Sequence, residues 1–224
     1  MGPSSGPKRS YFAAQGYPLI LGGVVLFLLG VVGGWPWLTV LGVLSGGFFA
    51  YFFRDPERDI PPEPGVIVSP TDGVVVRVDE VAENEFLQSP AKYVAIFMNV
   101  FDVHVNRSPV AAVVKEMRHR PGEYKAASRE DAPSRNEQQA LLLENEVGRR
   151  VLVVQIAGLL ARRIIPFVKP GQSLARGERL GLICFGSRVD LYLPGDSQVE
   201  VKTGDRVKAG SSIIGRRHEF PPET

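Results

Sequence analysis

Val168-Lys169-Pro170-Gly171 is followed six residues later by Gly177, and Val201-Lys202-Thr203-Gly204 is followed six residues later by Gly210. Each unit reads as strand, glycine turn, loop and second strand, because glycine takes the backbone angles that a reversal demands. The same texture extends outward along the chain. Tyr93 to Val100, Val110 to Met117 and Val151 to Ile156 are apolar runs of strand length. Val66-Ile67-Val68 leads through the turn cluster Ser69-Pro70-Thr71-Asp72-Gly73 into Val74-Val75-Val76-Arg77-Val78. Long helices are hard to place after residue 54, so the fold class expected there is mainly β. Residues 119–137, with His119 at their start, are polar and aperiodic and are expected to form a long loop.

Between the two units lies Cys184-Phe185-Gly186-Ser187-Arg188-Val189-Asp190-Leu191-Tyr192-Leu193-Pro194, a strand stopped by Pro194-Gly195. A serine directly after a glycine at the mouth of a strand has one special chemistry. The Ser187 hydroxyl can attack the Gly186 carbonyl, which the missing glycine side chain leaves uncovered. The resulting ester breaks by β-elimination, and the dehydroalanine left at position 187 hydrolyses to a pyruvoyl group. The step needs a base for the hydroxyl proton and a group that orients the base. His104, in Phe101-Asp102-Val103-His104-Val105-Asn106-Arg107-Ser108-Pro109, follows a buried run, and Asp72 sits in an Asp-Gly turn. Together with Ser187 they supply the residue types of a Ser-His-Asp relay. Gln155-Ile156-Ala157-Gly158 ends another strand on a glycine, where backbone donors can approach a further group.

The 26 Lys and Arg against 24 Asp and Glu give a net charge of +2, too even for a dedicated nucleic-acid binder. The basic pairs Arg149-Arg150, Arg162-Arg163 and Arg216-Arg217 read as solvated faces able to touch an anionic surface. The single cysteine, Cys184, excludes an internal disulfide and is expected to be buried and inert. His104, His119 and His218 lack ligand spacing, so no metal is expected.

Pro18 to Phe53 carries no charge, and Gly33-Gly34-Trp35-Pro36-Trp37 divides it into Leu19 to Val32 and Leu38 to Phe53. Tryptophans beside the break suit a membrane–water interface, and Lys8, Arg9, Arg54 and Arg58 at the two ends favour cytoplasmic termini. The hairpin either crosses the bilayer or dips into one leaflet. The expected organisation is a tail over 1–17, a membrane-associated hydrophobic helical hairpin over 18–53, a Pro-rich linker over 54–65 and a catalytic domain over 66–224.

Four stretches, in order, resemble phosphatidylserine decarboxylases of the short prokaryotic type: Phe52-Phe53-Arg54-Asp55-Pro56-Glu57-Arg58, Pro70-Thr71-Asp72-Gly73, Asp102 to Pro109, and Phe185-Gly186-Ser187-Arg188-Val189-Asp190. The repeat units resemble the half-barrels of lipoyl and biotinyl domains, which implies a barrel-sandwich hybrid. The family resemblance implies a proenzyme cut between Gly186 and Ser187, with a β chain of 1–186 and an α chain of 187–224 held as a heterodimer. It implies a pyruvoyl cofactor made from Ser187, which takes the amine of a membrane phospholipid as a Schiff base. Carbon dioxide is then lost and phosphatidylethanolamine released at the cytoplasmic side of the cell membrane. Ser187, His104 and Asp72 are the implied catalytic residues, without metal or nucleic acid.

One departure stands out. Longer members carry a second histidine three residues after the position of His104, and here that residue is Arg107. Either His104 serves both self-cleavage and turnover, or Arg107 and Asn106 have taken up substrate binding. Arg188, where the family's usual motif is Gly-Ser-Thr, is a further candidate for the anionic headgroup. A related serine phospholipid such as archaetidylserine presents the same headgroup. Two other readings belong to different classes, a membrane-anchored lipoyl-like adaptor without activity and a serine hydrolase. The hydrolase elbow Gly-x-Ser-x-Gly is absent, and a lipoyl carrier needs a lysine where this chain has Gly186-Ser187.

Overall fold

The computed structural model describes residues 11–122, 135–158, 163–184 and 186–217. The chain divides into two compact units between Glu57 and Arg58.

The first unit is a helical hairpin. A short 3-10 turn, Ala14–Gly16, runs into α1 (Tyr17–Val32), and α2 spans Pro36–Phe52. Gly34 turns the chain with φ +66°, and Pro36 opens α2 where its missing N–H leaves no bond unmade. The helices meet through glycines. A Cβ on Gly23 would lie 2.5 Å from Gly46 Cα, and one on Gly42 would lie 2.3 Å from Phe27 N. Such small-residue seams let helix backbones approach where both outer faces are apolar. Those faces present Leu21, Leu29, Val32, Trp37 and Leu44. The helical stretch Ala14–Val32 is long and apolar enough to cross a membrane, and α2 is slightly shorter. Most of the expected tail, including Lys8 and Arg9, lies outside the described residues.

The second unit is built of β1 (Val66–Val68), β2 (Gly73–Glu83), β3 (Ser89–Met98), β4 (Val105–Arg107), β5 (Ala112–Arg120), β6 (Gln138–Glu144), β7 (Arg150–Ile156), β8 (Ile164–Pro166), β9 (Ser173–Leu174), β10 (Arg179–Ile183), β11 (Ser187–Pro194), β12 (Gln198–Val199), β13 (Arg206–Val207) and β14 (Ile213–Arg216). Eight of these form a sheet in the order β13-β2-β3-β11-β7-β6-β5-β9, and two three-stranded sheets, β1-β14-β12 and β4-β10-β8, complete the unit. Bulges between Val75 and Arg77 and between Val114 and Glu116 bend the large sheet into a curled half-barrel.

Strand alternation gives the large sheet two different faces. Val189, Leu191 and Leu193 of β11, Val94, Ile96 and Met98 of β3, and Val151 and Val153 of β7 join the main core. The intervening Leu152, Val154 and Ile156 form a second cluster on the other face with Phe86, Ala140 and Leu142. Strand β11 is central, paired with β3 from Ser187↔Met98 to Pro194↔Ala91 and with β7 from Arg188↔Ile156 to Tyr192↔Leu152.

The repeat read from the sequence has a physical basis. Gly171 and Gly177 have φ +83° and +78°, and Gly204 and Gly210 have φ +97° and +75°. In each unit the first glycine precedes a two-residue strand and the second precedes a longer one. The second glycines also share a neighbour: a Cβ on Gly177 would lie 2.3 Å from Ile60 Cδ1, and one on Gly210 would lie 2.9 Å from it.

Ile60 belongs to the stretch expected as a linker, and its residues from Arg58 onward are packed on the β unit. Arg176 donates from Nη1 to the carbonyls of Glu63 and Val66 at 2.9 and 3.0 Å, and from Nη2 to that of Pro61. A Pro-rich chain cannot join a sheet ladder, so a long side chain takes up its carbonyls instead. The expected loop also begins later than read. β5 continues through His119, whose exposed ring lies 3.1 Å from Glu137 Oε1. Residues 123–134 of that loop, together with Arg162 and His218, lie outside the described residues.

Gly177→Ala is expected to destabilise the protein by about 2 kcal/mol or more, since a left-handed alanine costs about 1–2 kcal/mol before any clash with Ile60. Gly148→Ala, with φ +75° but no atom within 4 Å of a new Cβ, should lose only the backbone part. Denaturant unfolding of both variants checks the difference.

Candidate active site

Ser187 is the first residue of β11, and its side chain faces the core beside Met98, its partner on β3. The residue is fully buried, and its Oγ lies 3.9 Å from Met98 Sδ, a weak acceptor. Gly186 before it has φ +64° and open space around a would-be Cβ, so glycine stands there for its backbone angle.

His104 immediately precedes β4 and is also fully buried. Its Nδ1 lies 2.9 Å from the Asp102 carbonyl oxygen, and the Gly186 N–H points to its Nε2 at 3.4 Å. A carbonyl oxygen only accepts and a backbone N–H only donates, so the two contacts fix one tautomer. Nδ1 carries the proton, and Nε2 turns its lone pair towards the amide N–H of Gly186, the residue before Ser187. Asp102 is held in its turn: its carboxylate accepts from Asn99 N–H at 2.9 Å and from Arg206 Nη2 at 2.5 Å. His104 therefore has the protonation pattern of a general base at the Gly186-Ser187 junction.

The expected relay through Asp72 is not assembled. Both carboxylate oxygens of Asp72 lie 2.8 Å from Arg58 Nη2, and Oδ1 also accepts the Ala209 N–H at 2.8 Å. A guanidinium holds a carboxylate more strongly than a neutral imidazole does, and the Asp102 carbonyl already occupies Nδ1. Asp72 therefore ties the Arg58 strap to the second repeat unit.

A buried polar network lies on the same face as Ser187 and meets it at Met98. Gln155 Nε2 donates to Asn106 Oδ1 at 2.7 Å, and Asn106 Nδ2 donates to Thr71 Oγ1 at 3.1 Å. Thr71 Oγ1 and Asn106 Nδ2 both approach Met98 Sδ. Of the candidate substrate-binding residues, Asn106 thus lies in the same cluster as Ser187. Arg107 is buried beneath the repeat turns, with Nη1 donating to the Gly177 carbonyl at 3.0 Å.

Arg188 lies on the opposite face. Its Nε donates to Asp190 Oδ1 at 2.6 Å, its Nη2 to Tyr93 Oη, and Tyr93 Oη donates to Asp190 Oδ2 at 2.7 Å. All three residues are buried. Burial alone would pull the Arg188 guanidinium down, but the Asp190 carboxylate outweighs it and holds the group above its ordinary value. Burial pushes the Tyr93 phenol up, with Asp190 adding to the effect, so it remains a donor. The charge of Arg188 is engaged by Asp190, on the face opposite Ser187. Cys184 next to the junction is half-buried, and burial pushes its thiol up, against a smaller pull from Arg163.

The sequence pointed to Ser187, His104, Asn106 and Asp72, but not to the Asp102 carbonyl as the partner of His104, the Gln155 side chain as that of Asn106, or Arg58 as that of Asp72. One signal was present, since Gln155 is a lone amide at an inward position of an otherwise apolar strand.

Comparison with known proteins gives a consistent result. The sequence model of the family described as phosphatidylserine decarboxylase matches residues 46–215. A phosphatidylserine decarboxylase proenzyme of Symbiobacterium thermophilum is 47% identical over 209 residues, covering 93% of this chain and 97% of the relative. The proenzyme of Desulfotalea psychrophila is 40% identical over 204 residues, with 91% and 95% covered, and that of Syntrophotalea carbinolica is 44% identical over 203 residues, with the same coverage.

Two measurements test this geometry. Nitrogen NMR of the uncut protein should show that the neutral form of His104 carries its proton on Nδ1 and not on Nε2. Asp190→Asn should cost about 3–5 kcal/mol by stranding the buried Arg188 charge, and the double change Arg188→Met with Asp190→Leu should recover most of that loss on denaturant unfolding.

Proposed function

The chain belongs to the phosphatidylserine decarboxylase family, and on that premise we propose that it matures by cutting itself between Gly186 and Ser187. Its reaction is the decarboxylation of phosphatidylserine to phosphatidylethanolamine, and its relatives bear the name proenzyme. The observation that carries the maturation reading is the lone pair of His104 Nε2 at the Gly186 amide. His104 takes the Ser187 hydroxyl proton as Oγ adds to the Gly186 carbonyl, and the Gly186–Ser187 C–N bond breaks to leave an ester. Loss of the α-proton of residue 187 expels the Gly186 carboxylate. The dehydroalanine then gains water and loses ammonia, leaving a pyruvoyl group.

Residue 187 fits such a group. It is fixed by its pairing to Met98 and shut away from water, and its side chain lies against the Met98 thioether, which a neutral amide network also meets. The pyruvoyl carbonyl supplies an electrophile for the headgroup amine and an electron sink for the departing carboxylate. His104 then returns a proton to the product carbon, and serves both steps because Arg107 replaces the second histidine. Asn106 orients the headgroup, while Arg107 and Asp72 hold the strap and repeat turns that enclose the site.

The finer architecture follows the same reading. We take residues 66–224 as the catalytic domain, a barrel-sandwich hybrid of the lipoyl type, with the two glycine-punctuated units as its half-barrels. The β chain 1–186 and α chain 187–224 remain together, because β11 is paired on both sides by β-chain strands. The apolar hairpin of 18–53 keeps the enzyme at the cytoplasmic face of the membrane, so that only the headgroup leaves the bilayer.

Denaturing mass measurement should give two fragments meeting at Gly186/Ser187, the smaller starting in a pyruvoyl group. Ser187→Ala should give one uncut, inactive chain of 24.5 kDa, and cutting in that variant overturns the scheme. His104→Ala should slow cutting by about a hundredfold or more, in the range set by loss of a general base.

A further inference from the structure

Gln155 sits on β7 opposite Val189 of β11, and strand alternation puts its side chain on the face shared by Val189 and Ser187. It is fully buried in a strand whose other inward residues are Val151 and Val153. An amide in such a place is costly unless both ends are bonded.

One end is bonded, and the fold makes room for it. Nε2 donates to Asn106 Oδ1 at 2.7 Å. On β10, Gly181 pairs with Asn106, and a Cβ there would lie 3.2 Å from Gln155 Nε2 and 2.7 Å from the Ile165 carbonyl oxygen. The orientation of the amide follows from Thr71. Its hydroxyl proton is directed to the Asp72 carbonyl or to Met98 Sδ. Thr71 Oγ1 therefore accepts from Asn106 Nδ2, and Asn106 Oδ1 is left to accept from Gln155. The remaining atom, Gln155 Oε1, is a buried acceptor without a partner among the described residues.

We propose that Gln155 is a substrate-binding residue whose Oε1 accepts a hydrogen bond from the primary amine of the lipid headgroup. The inference rests on the reaction site proposed at residue 187. The donor chemistry identifies the group: the carboxylate and phosphodiester of a serine headgroup only accept, and the amine is the donor that must reach residue 187. A neutral amide suits this task better than a carboxylate. An anion beside the amine would favour the ammonium form, which has no lone pair for attack, whereas a carbonyl oxygen orients the N–H and leaves the lone pair available.

The test uses the full chain in detergent micelles, with Gln155→Met, Gln155→Glu and the parent protein. Mass measurement comes first. A parent chain that stays uncut defeats the proposed function, not this inference. With the parent cut, both variants should also be cut. The parent should bind micelles containing phosphatidylethanolamine about tenfold more tightly than micelles containing phosphatidylethanol, which lacks the amine, and Gln155→Met should abolish that preference while raising KM for phosphatidylserine about tenfold. Gln155→Glu should keep the preference and move the acid limb of kcat/KM upward by about one pH unit. Retention of the amine preference by Gln155→Met overturns the proposal. Failure of both variants to cut also overturns it, assigning Gln155 to packing or maturation.

Discussion

The hydrogen bond from His104 Nδ1 to the Asp102 carbonyl decides which ring nitrogen is basic, and the chemistry assigned to the site depends on that choice. Because a carbonyl cannot donate, the ring must keep its proton at Nδ1 and expose a lone pair at Nε2, where the Gly186 N–H meets it. The support is layered. The Asp102 carboxylate is fixed by the Asn99 N–H and by Arg206, a residue of the second repeat unit. Arg206 lies downstream of the Gly186-Ser187 junction and Asp102 upstream. The His104 ring is therefore oriented by segments from both sides of the Gly186-Ser187 bond.

The large sheet separates two electrostatic environments by one peptide unit. On the inner face, Ser187 lies against the Met98 thioether, which the neutral amide of Asn106 also approaches. On the outer face, Arg188, Asp190 and Tyr93 close a charged network upon themselves. Removing either charge would strand the other, so the pair is locked as a unit. Its effect on the inner face is to keep a strong cation out of it, although that cation belongs to the very next residue. For the proposed attack by an uncharged amine, a neutral face is the favourable surrounding.

Much of this was legible in the sequence. The repeat was readable because its four glycines take positive φ, a demand that other residues meet poorly. The hairpin was readable because its charge-free run is broken by Gly33 to Trp37, the link between α1 and α2. Ser187 and His104 were singled out by motif and chemistry, and the structure brings His104 Nε2 to the amide of Gly186, the residue before Ser187. The bond between Asp72 and Arg58 was not legible, because Arg58 sits in a Pro-rich stretch whose composition reads as a spacer. Nothing periodic announces that Ile60 fills the space between Gly177 and Gly210. The face of Arg188, by contrast, was available: Val189, Leu191 and Leu193 fix the inward positions of β11, and the alternation sends Arg188 outward.

The central place of β11 has a consequence for the lifetime of the molecule. Strands β11 to β14 enter two different sheets, between or beside strands formed by earlier residues. While the chain is continuous, assembling them is a first-order event within one molecule. After the proposed cut the same pairing would need two separate polypeptides to find each other, one contributing a strand to the middle of a sheet that is poorly formed without it. Folding and unfolding of the mature protein then cease to be the reverse of one another. Its persistence is governed by the height of the unfolding barrier rather than by an equilibrium constant, and a molecule that once opens fully has no first-order route back.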